Sequence, residues 1–326
     1  MIYFKFPFNN TLFTVEKNGL TKENLVVFHS FDNQKSIEFN GKIAEVDESN
    51  IALNLENTRQ FSDDRTGYIP ETKQEYLQSL SHVISIIKEK KLPKLVLSRR
   101  KIIDYDGVID LNESFNNLCK TYPNAFKYVF KKDEVSWIGA FSEVLGKYNK
   151  KTSEFETMSL AGTLPVEEAW STKEIEEQKP VSTYIRNILT QYNTAEKLYE
   201  SETYDHISGN IKHLKTDFKA KINAEDLETV IQALHPTPAV CGIPKDFCFN
   251  EIQKVEKFPR ELYAGYIKIE TEDMVYYFVN LRCARLYRNK VHLFVGGGIT
   301  AESNIEKEWQ ETELKSEAIL QNLSFA

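Results

Sequence analysis

A chain of 326 residues with 41% hydrophobic and 27% charged residues has the composition of a globular protein, and its length allows one large α/β domain or two smaller ones. Its formal net charge of −7, without a long basic run, argues against nucleic acid as a partner. The N-terminus lacks a basic segment followed by an apolar core, and no run of roughly 18 apolar residues occurs, so no secretion signal and no membrane partner are expected. The four cysteines show no C-x-x-C spacing, which is typical of reduced thiols and makes the cytoplasm the expected location.

Residues 1–60 are predicted to form short antiparallel strands, separated by turns containing Asn, Gly and Asp. These strands are Ile2–Phe6, Leu12–Val15, Leu25–Phe31, Ser36–Phe39 and Ile51–Leu55. The segment Asp63–Gly67 is the expected connector to the rest of the chain.

Helices and strands are predicted to alternate between residues 72 and 148. Thr72–Lys91 has the apolar periodicity of an amphipathic helix, and Pro93 ends it. The elements that follow are the strand Lys94–Arg99, the helix Leu111–Tyr122 and the strands Ala125–Phe130, Val135–Phe141 and Val144–Tyr148. A lysine at the head of a strand is commonly solvated, and an acid such as Glu143 between two apolar runs is commonly a turn residue. Both residues are nevertheless candidates for function.

A carboxylate lies on the apolar face of the next predicted helix. Ser159–Pro165 is predicted to be a glycine-bearing turn, and Ser171 with Glu174 has the pattern of a capping box that begins the helix. At helical spacing, Glu177 falls within the apolar stripe, although Glu is rarely buried without a partner. Its partner is either a lysine or a ligand. Pro180 should kink this helix or mark its true start.

The third quarter of the chain is predicted to hold one helix, an irregular segment and closing strands. Glu225–Ala233 is the helix, and the prolines of Leu234–Pro244 forbid regular structure there. The strands are Leu262–Glu270, Met274–Leu286 and Lys290–Val295, with Arg282 on the same side of its strand as Asn280 and Ala284.

The C-terminal segment is the most informative. An apolar strand is predicted to break at Gly296–Gly298, and a helix is predicted to begin near Asn304, where Ser303 and Glu306 form a capping box. The glycines would leave backbone amides at the helix start open to an anion. On this helix, Glu308, Glu311 and Lys315 share a narrow arc with apolar residues on both sides. They form either an exposed ion pair of the i,i+4 kind or a site for a cation or an anion.

These unexplained charges fit a cation site. Glu177, Glu308 and Glu311 offer carboxylate ligands without His or Cys, which suits a hard cation, and magnesium is the usual one. Magnesium with Lys315, Arg282 and open amides would bind a small molecule that carries several carboxylates. Lys94 and Glu143 remain as a base and an acid. The residues alone predict a magnesium-dependent enzyme that acts on an anionic metabolite.

Six ordered segments together resemble the chorismate-utilising enzymes, a family that includes isochorismate, salicylate, anthranilate and aminodeoxychorismate synthases. The segments are Lys94–Arg99, Ser159–Thr163, Leu234–Val240, Arg260–Gly265, Leu281–Ala284 and the glycine–helix segment up to Lys315, within residues 72–322. The resemblance implies an α/β (α+β) fold of two packed, mainly antiparallel β-sheets flanked by helices, with the active site in the cleft between them. It also implies a single chorismate-binding domain, residues 1–326, in which 1–70 is a shortened N-terminal β region and 72–326 is the catalytic core.

The resemblance implies a role for each matching residue. Glu177 and Glu311 would bind Mg²⁺, with Glu308 beside them. Lys94 would be the general base that activates water, and Glu143 the general acid that protonates the departing hydroxyl. A lysine that acts as a base near neutral pH needs a lowered pKa, which burial beside a cation would supply. The implied substrate contacts are Gly162, Thr163, His235, Ala239, Arg282, Gly296, Gly298 and Lys315.

The same resemblance favours one branch of the family. Lys94 favours water over ammonia as the nucleophile, and Ala161 argues against the aminodeoxychorismate route. Water would add at C2 of chorismate as the hydroxyl leaves C4, which gives isochorismate. Salicylate synthase, which also eliminates pyruvate, and a non-catalytic chorismate-binding homologue are the alternatives. The expected enzyme is a monomer without an amidotransferase subunit, and its product could serve menaquinone or siderophore biosynthesis.

This sequence departs from the family pattern at a few positions. Phe141-Ser142 precedes Glu143 where Ser-Pro is usual, which makes this acid the least secure assignment. Gln178 stands where a histidine usually follows the metal-binding glutamate, and Pro180 replaces an aliphatic residue. Gly297 stands where alanine is common.

Overall fold

The fold is built mainly from antiparallel strands, and the computed structural model describes residues 1–16, 24–208 and 211–326. In chain order, the strands are β1 (Ile2–Lys5), β2 (Leu12–Glu16), β3 (Asn24–His29), β4 (Ser36–Val46), β5 (Lys94–Asp104), β6 (Ile109–Asp110), β7 (Phe126–Lys132), β8 (Val135–Phe141), β9 (Val144–Asn149), β10 (Glu154–Pro165), β11 (Tyr199–Glu200), β12 (Tyr204–Ser208), β13 (Ile211–Lys221), β14 (Gly242–Ile243), β15 (Tyr266–Glu270), β16 (Met274–Val279), β17 (Cys283–Leu286), β18 (Lys290–Ile299) and β19 (Ser324–Phe325). The helices are α1 (Ser49–Asn54), α2 (Lys73–Lys90), α3 (Leu111–Thr121), α4 (Thr172–Tyr192), α5 (Leu227–Leu234), α6 (Lys245–Val255) and α7 (Ile305–Leu320).

Two sheets share strand β4. The first sheet has the order β4-β2-β1-β7-β8-β17-β18-β5-β14. The second has the order β4-β3-β15-β16-β9-β10-β13, with β11 and β12 on the far side of β13. Residues 36–41 of β4 pair with β3 and residues 42–46 pair with β2, and the change falls at Gly41, whose φ of 151° favours glycine. Neighbouring strands in both sheets run antiparallel, as predicted.

Aromatic side chains pack the two sheets face to face. The Phe28 ring of β3 lies 4.9 Å from the Tyr128 ring of β7, and the Phe126 ring of β7 stacks at 4.7 Å on Phe278 of β16. Such pairs add about 0.5–1.5 kcal/mol each beyond the area that they bury. The prediction of two packed antiparallel sheets with helices outside is confirmed.

The chain passes from one sheet to the other at two neighbouring places. Strand β8 belongs to the first sheet and β9 to the second, with Ser142 and Glu143 between them. Strand β16 belongs to the second sheet and β17 to the first, with residues 280–282 between them. The Val279 amide donates to the Glu143 carbonyl at 3.1 Å, and the Ala140 amide donates to the Arg282 carbonyl at 3.1 Å. Glu143 and Arg282 are therefore placed side by side where the sheets part.

Local sequence explains the helices that cover the sheets. The Thr72 side chain accepts from the Glu75 amide and the Glu75 carboxylate accepts in return, so a capping box begins α2. Its buried residues Tyr76, Leu80, Val83 and Ile87 recur at helical spacing. Helices α2 and α7 contact the β5–β18 pair, and α4 contacts β10 and β13. In the described parts of the chain, none of the helices combines the length and apolarity needed to cross a membrane.

Several predicted elements are wrong. Ile51–Leu55 is not a strand but the end of α1 and its C-cap. Ile51 and Leu55 are both buried, because residues four apart share one face of a helix. Ser159–Pro165 is not a turn but the end of β10, whose inward residues include the polar Thr157 and Ser159. The predicted strand Met274–Leu286 is two strands. The helix α6 and the strands between residues 199 and 221 were not predicted.

Candidate active site

A cavity of about 1110 Å³, including its open mouth, lies between the two sheets. Its walls come from β5, the Phe141–Glu143 crossing, β10, α4, β13, the segment around Val240, the Leu281–Arg282 crossing, β18 and α7. Most of the predicted site residues line it, although they come from segments far apart in the chain. They are Lys94, Glu143, Gly162, Thr163, Glu177, Ala239, Arg282, Gly296, Gly298, Glu311 and Lys315.

Lys94 and Glu177 form a buried ion pair in this cavity. The Lys94 Nζ lies 2.6 Å from the Glu177 Oε1, and the two side chains are 4% and 11% exposed. Gly298 makes room for them, since a Cβ there would lie 2.5 Å from the Lys94 Cε and 2.6 Å from the Glu177 Oε1. Of the two kinds of partner predicted for Glu177, a lysine or a ligand, the structure places the lysine Lys94 against it. Helix α4 continues through Pro180, and the Ser171 amide and hydroxyl donate to the Glu174 carboxylate at its start, which is one half of the predicted capping box.

A second glutamate–lysine pair lies on α7. The Lys315 Nζ is 2.6 Å from the Glu311 Oε1 and donates to the Gly296 carbonyl at 2.9 Å. Glu308 is only 2% exposed and lies behind the cavity wall, where its Oε2 would be 3.3 Å from a Cβ at Gly297. Because Glu308 is buried, the charged residues Glu308, Glu311 and Lys315 do not all lie on the exposed surface. Glu311 and Lys315 are partly buried at the cavity.

Arg99 fixes the rotation of α7. Its Nε donates to the Thr312 hydroxyl at 2.8 Å, its guanidinium lies 3.9 Å from the centre of the Trp309 ring, and it forms an ion pair with Glu313. Because Arg99 belongs to β5, these contacts fix the helix to the strand that carries Lys94. The helix face with Glu308, Glu311 and Lys315 is thereby turned toward the glycines of β18.

Helix α7 begins next to Asn304 as predicted, but three expectations about the residues before it are wrong. Strand β18 does not break at the glycines, because Gly296, Gly297 and Gly298 stay in register with Ser98, Leu97 and Val96 of β5. The helix begins only at Ile305, so the glycines do not present amides at a helix N-terminus. Its cap is Asn304, whose side chain accepts from the amides of Glu306 and Lys307, rather than Ser303.

Glu143 is a buried acid with a raised pKa. Burial raises the pKa of its carboxyl from 4.5 to about 7, although the charge of Lys94 and a hydrogen bond from Thr237 oppose the rise. The Thr237 hydroxyl lies 3.4 Å from the Glu143 Oε1. Near neutral pH, a substantial fraction of Glu143 therefore carries a proton that it can donate.

Arg282 and His213 also line the cavity. Arg282 has a φ of 41° at the crossing between the sheets, and burial lowers the pKa of its guanidinium. The Nδ1 of His213 lies 3.0 Å from the Gly162 carbonyl oxygen and 3.2 Å from the Thr163 hydroxyl oxygen. Burial, with the charge of Arg282, lowers the pKa of His213 to about 3, so this ring is neutral. Sequence reasoning missed His213, because the polar alternation of β13 was not recognised as a strand.

His235 lies outside the residues that line the cavity. Its Nε2 is 3.1 Å from the Phe31 carbonyl, and its ring packs edge-on against Phe31 and Tyr266. Burial lowers the pKa of His235 to about 3. This histidine joins the segment that follows α5 to the second sheet, and the structure does not bring it to the predicted substrate contacts.

The glycines also create space for a cation. Glu177 approaches Gly298, while Glu308 and Glu311 approach the adjacent Gly297, where a Cβ would lie 3.6 Å from the Glu311 Oε1. A Cβ on Gly298 would displace Glu177, whereas a Cβ on Gly297 would only touch the flexible Glu308 and Glu311 carboxylates. Their oxygens are the ligands that Mg²⁺ prefers, so the residues fit this ion. Among the described residues, no three acids, histidines or cysteines are close enough to form a ready-made metal centre, and Lys94 and Lys315 pair with Glu177 and Glu311.

The two-sheet fold and its charged central cavity define an enzyme of the chorismate-utilising type. The sequence model described as "Chorismate binding enzyme" matches residues 6–324, and the chain therefore belongs to that family. This confirms the resemblance drawn from the six segments.

Individual relatives and a solved structure agree with the family. Isochorismate synthase EntC of Escherichia coli strain K12 is 30% identical over 267 residues, which cover 77% of this chain and 67% of that protein. The vibriobactin-specific isochorismate synthase of Vibrio cholerae is 27% identical over 271 residues, which cover 76% of this chain and 66% of that protein. The chain thus spans about two thirds of the length of these relatives. MenF, the menaquinone-specific isochorismate synthase of Escherichia coli, shares the fold with a TM-score of 0.79 and 18% identity, over 98% of this chain and 88% of that chain.

Proposed function

We propose that this protein is a magnesium-dependent isochorismate synthase that converts chorismate to isochorismate as a monomer, without an amidotransferase subunit, in the cytoplasm. The observation that carries the proposal is the placement of a buried lysine, Lys94, and a buried protonatable acid, Glu143, around one cavity. Addition of water and loss of a hydroxyl require one group that takes a proton and another that gives one. Relatives named isochorismate synthase, at 27% and 30% identity, support the same choice.

The charges of the cavity suit a dianion only when a divalent cation is present. Lys94, Arg282 and Lys315 bring three positive charges to its lining, and Glu174, Glu177 and Glu311 bring three negative ones. Glu143 adds a further partial negative charge, while His213 is neutral. A dicarboxylate such as chorismate therefore meets no net positive charge from the protein alone. Mg²⁺ held by Glu177 and Glu311, with Glu308 beside them, would neutralise these acids and bind a substrate carboxylate.

The protein's own residues account for the proton transfers. Arg282 and Lys315 would bind the substrate carboxylates and fix the ring between Lys94 and Glu143. If Glu177 binds the cation instead of Lys94, Lys94 would release its own proton to solvent and then take a proton from water as the water oxygen bonds to C2. The ring double bonds shift, the bond from C4 to its hydroxyl breaks, and Glu143 protonates that hydroxyl as water leaves. One water enters and one leaves, so the product is an isomer, and a proton returned from Lys94 to Glu143 through solvent restores both groups.

Product analysis tests this proposal. Purified protein is incubated with chorismate and Mg²⁺, with and without ammonium, and the products are separated by liquid chromatography. We expect a reversible mixture of chorismate and isochorismate that no longer forms after chelation of the metal. Lys94→Ala protein, purified in parallel, controls for a synthase from the expression host.

Other products would overturn specific parts of the proposal. Salicylate with pyruvate would identify a salicylate synthase, and an aminated product would contradict water as the nucleophile. Tight chorismate binding without turnover would identify a non-catalytic homologue.

A further inference from the structure

Among the described residues, one edge of β5 has no neighbouring strand beyond Leu95. In the described part of the chain, β14 pairs with Lys94 and Leu95 and then ends. The same edge continues with the backbone groups of Val96 and Ser98, which still need hydrogen-bond partners because they are buried. The Val96 amide finds one in the Cys241 carbonyl at 2.9 Å.

A buried ion pair takes the place of the missing strand. The Arg260 guanidinium donates to the Val96 carbonyl at 3.0 Å, and the Glu256 carboxylate accepts from the Ser98 amide at 2.7 Å. The two side chains are joined at 2.6 Å and are 2% and 5% exposed. Both come from the end of α6 and the residues just after it. The pair thus offers β5 a donor and an acceptor in the positions that a strand would supply.

The same arginine also holds the facing wall of the cavity. Another of its nitrogens donates to the Val240 carbonyl at 2.6 Å. Val240 and Ala239 line the cavity, and Thr237 in the same segment donates to Glu143. This segment has no strand or helix of its own to fix its course. One guanidinium therefore joins the strand of the base to the segment that contacts the acid.

We infer that Arg260 and Glu256 are positioning residues that set the distance between Lys94 and Glu143, an inference that rests on the proposed function of those two groups. Neither residue lines the cavity, so they act through the backbone of Val96 and Val240. The planar guanidinium reaches Glu256, Val96 and Val240 in different directions at once. A lysine ammonium is a single point donor and cannot reproduce this fork.

The experiment compares Arg260→Lys and Glu256→Gln with the matched control Glu261→Gln. Glu261 also pairs with buried or half-buried arginines, Arg100 at 2.9 Å and Arg285 at 2.7 Å, but those arginines do not bond Val96 or Val240. We expect kcat to fall about 10- to 100-fold in Arg260→Lys, with the KM for chorismate within about threefold of wild type, because a misplacement of about 1 Å has effects of this size. Glu256→Gln should show a smaller fall of the same kind, and Glu261→Gln should keep its kcat.

Hydrogen exchange followed by mass spectrometry gives a readout that does not depend on turnover. In Arg260→Lys, the amides of Val96, Ser98, Thr237 and residues 239–241 should exchange at least about tenfold faster, while α3 and β7 should not change. Unchanged exchange in these segments, or a fall of kcat that Glu261→Gln shares, would overturn the inference. If the wild-type protein makes a different product from chorismate, the proposed function fails, while the exchange data and the kcat for that product still decide the positioning role.

Discussion

Gly298 offers a sharp test of the active-site geometry. A Cβ at this position would lie 2.5 Å from the Lys94 Cε and 2.6 Å from the Glu177 Oε1, whereas an ordinary contact needs about 3.5–4.0 Å. In Gly298→Ala, the Lys94–Glu177 pair must therefore move by about 1 Å. The φ of Gly298 lies outside the positive range that favours glycine, so the backbone itself accepts alanine.

The expected loss of activity follows from this displacement. A shift of about 1 Å in a catalytic group can lower kcat about 100-fold, equivalent to about 2.7 kcal/mol in the activation free energy. Overpacking should also lower the free energy of unfolding by about 1–3 kcal/mol. Steady-state kinetics with chorismate measure the first effect and urea unfolding measures the second.

The neighbouring glycine is a matched control. In Gly297→Ala, the nearest atoms are carboxylate oxygens of Glu308 and Glu311 at 3.3 and 3.6 Å, which can move by a few tenths of an ångström. We expect activity within about threefold of wild type for this variant, since such adjustments of flexible side chains cost little. A folded Gly298→Ala protein as active as Gly297→Ala would refute the role assigned to the Lys94–Glu177 pair.

Three further predictions concern the base, the acid and the cation. Lys94→Ala should abolish turnover while calorimetry still detects chorismate binding, and near wild-type activity would refute its role as the base. Because Glu143 must be protonated to act and burial raises its pKa to about 7, the ratio of the wild-type kcat to that of Glu143→Gln should fall about tenfold per unit as the pH rises above 7, and a ratio that stays constant through this range would contradict the assignment. Mg²⁺ at about 100 times its Kd should raise the free energy of unfolding by about 2.7 kcal/mol, seen as a higher Tm without substrate, and Glu177→Gln should remove the rise. A wild-type Tm that does not respond to Mg²⁺ would count against the cation site.

Features that depend on local periodicity could be predicted from the sequence. Helical spacing alone places Glu177 in an apolar stripe of α4 and places Glu308, Glu311 and Lys315 in one arc of α7, because side chains three or four residues apart share a helix face. The arc is found as predicted, with Glu308 buried. The roles of the remaining candidate residues come from the resemblance to the family. Most of these residues line one cavity in the structure.

Features that depend on distant partners could not be predicted locally. The run Gly296–Gly298 has the composition of a strand end, but its pairing with β5 about 200 residues earlier keeps it extended. The alternation of β13 could have placed His213 in a strand but not in the site, because its partners there, the Gly162 carbonyl and Arg282, lie elsewhere in the chain. His235 was predicted to contact the substrate because it lies in a matching segment, but its side chain packs against Phe31 rather than lining the cavity.

The shared strand β4 ties the first residues of the chain to both layers. Strand β1 pairs with β7 in one sheet and β3 pairs with β15 in the other, so these N-terminal strands cover one border of each sheet. Without them, β7 and β15 would both expose unpaired backbone, and open strand borders of this kind favour association with other chains. The N-terminal strands therefore close these two strand borders as well as completing the fold.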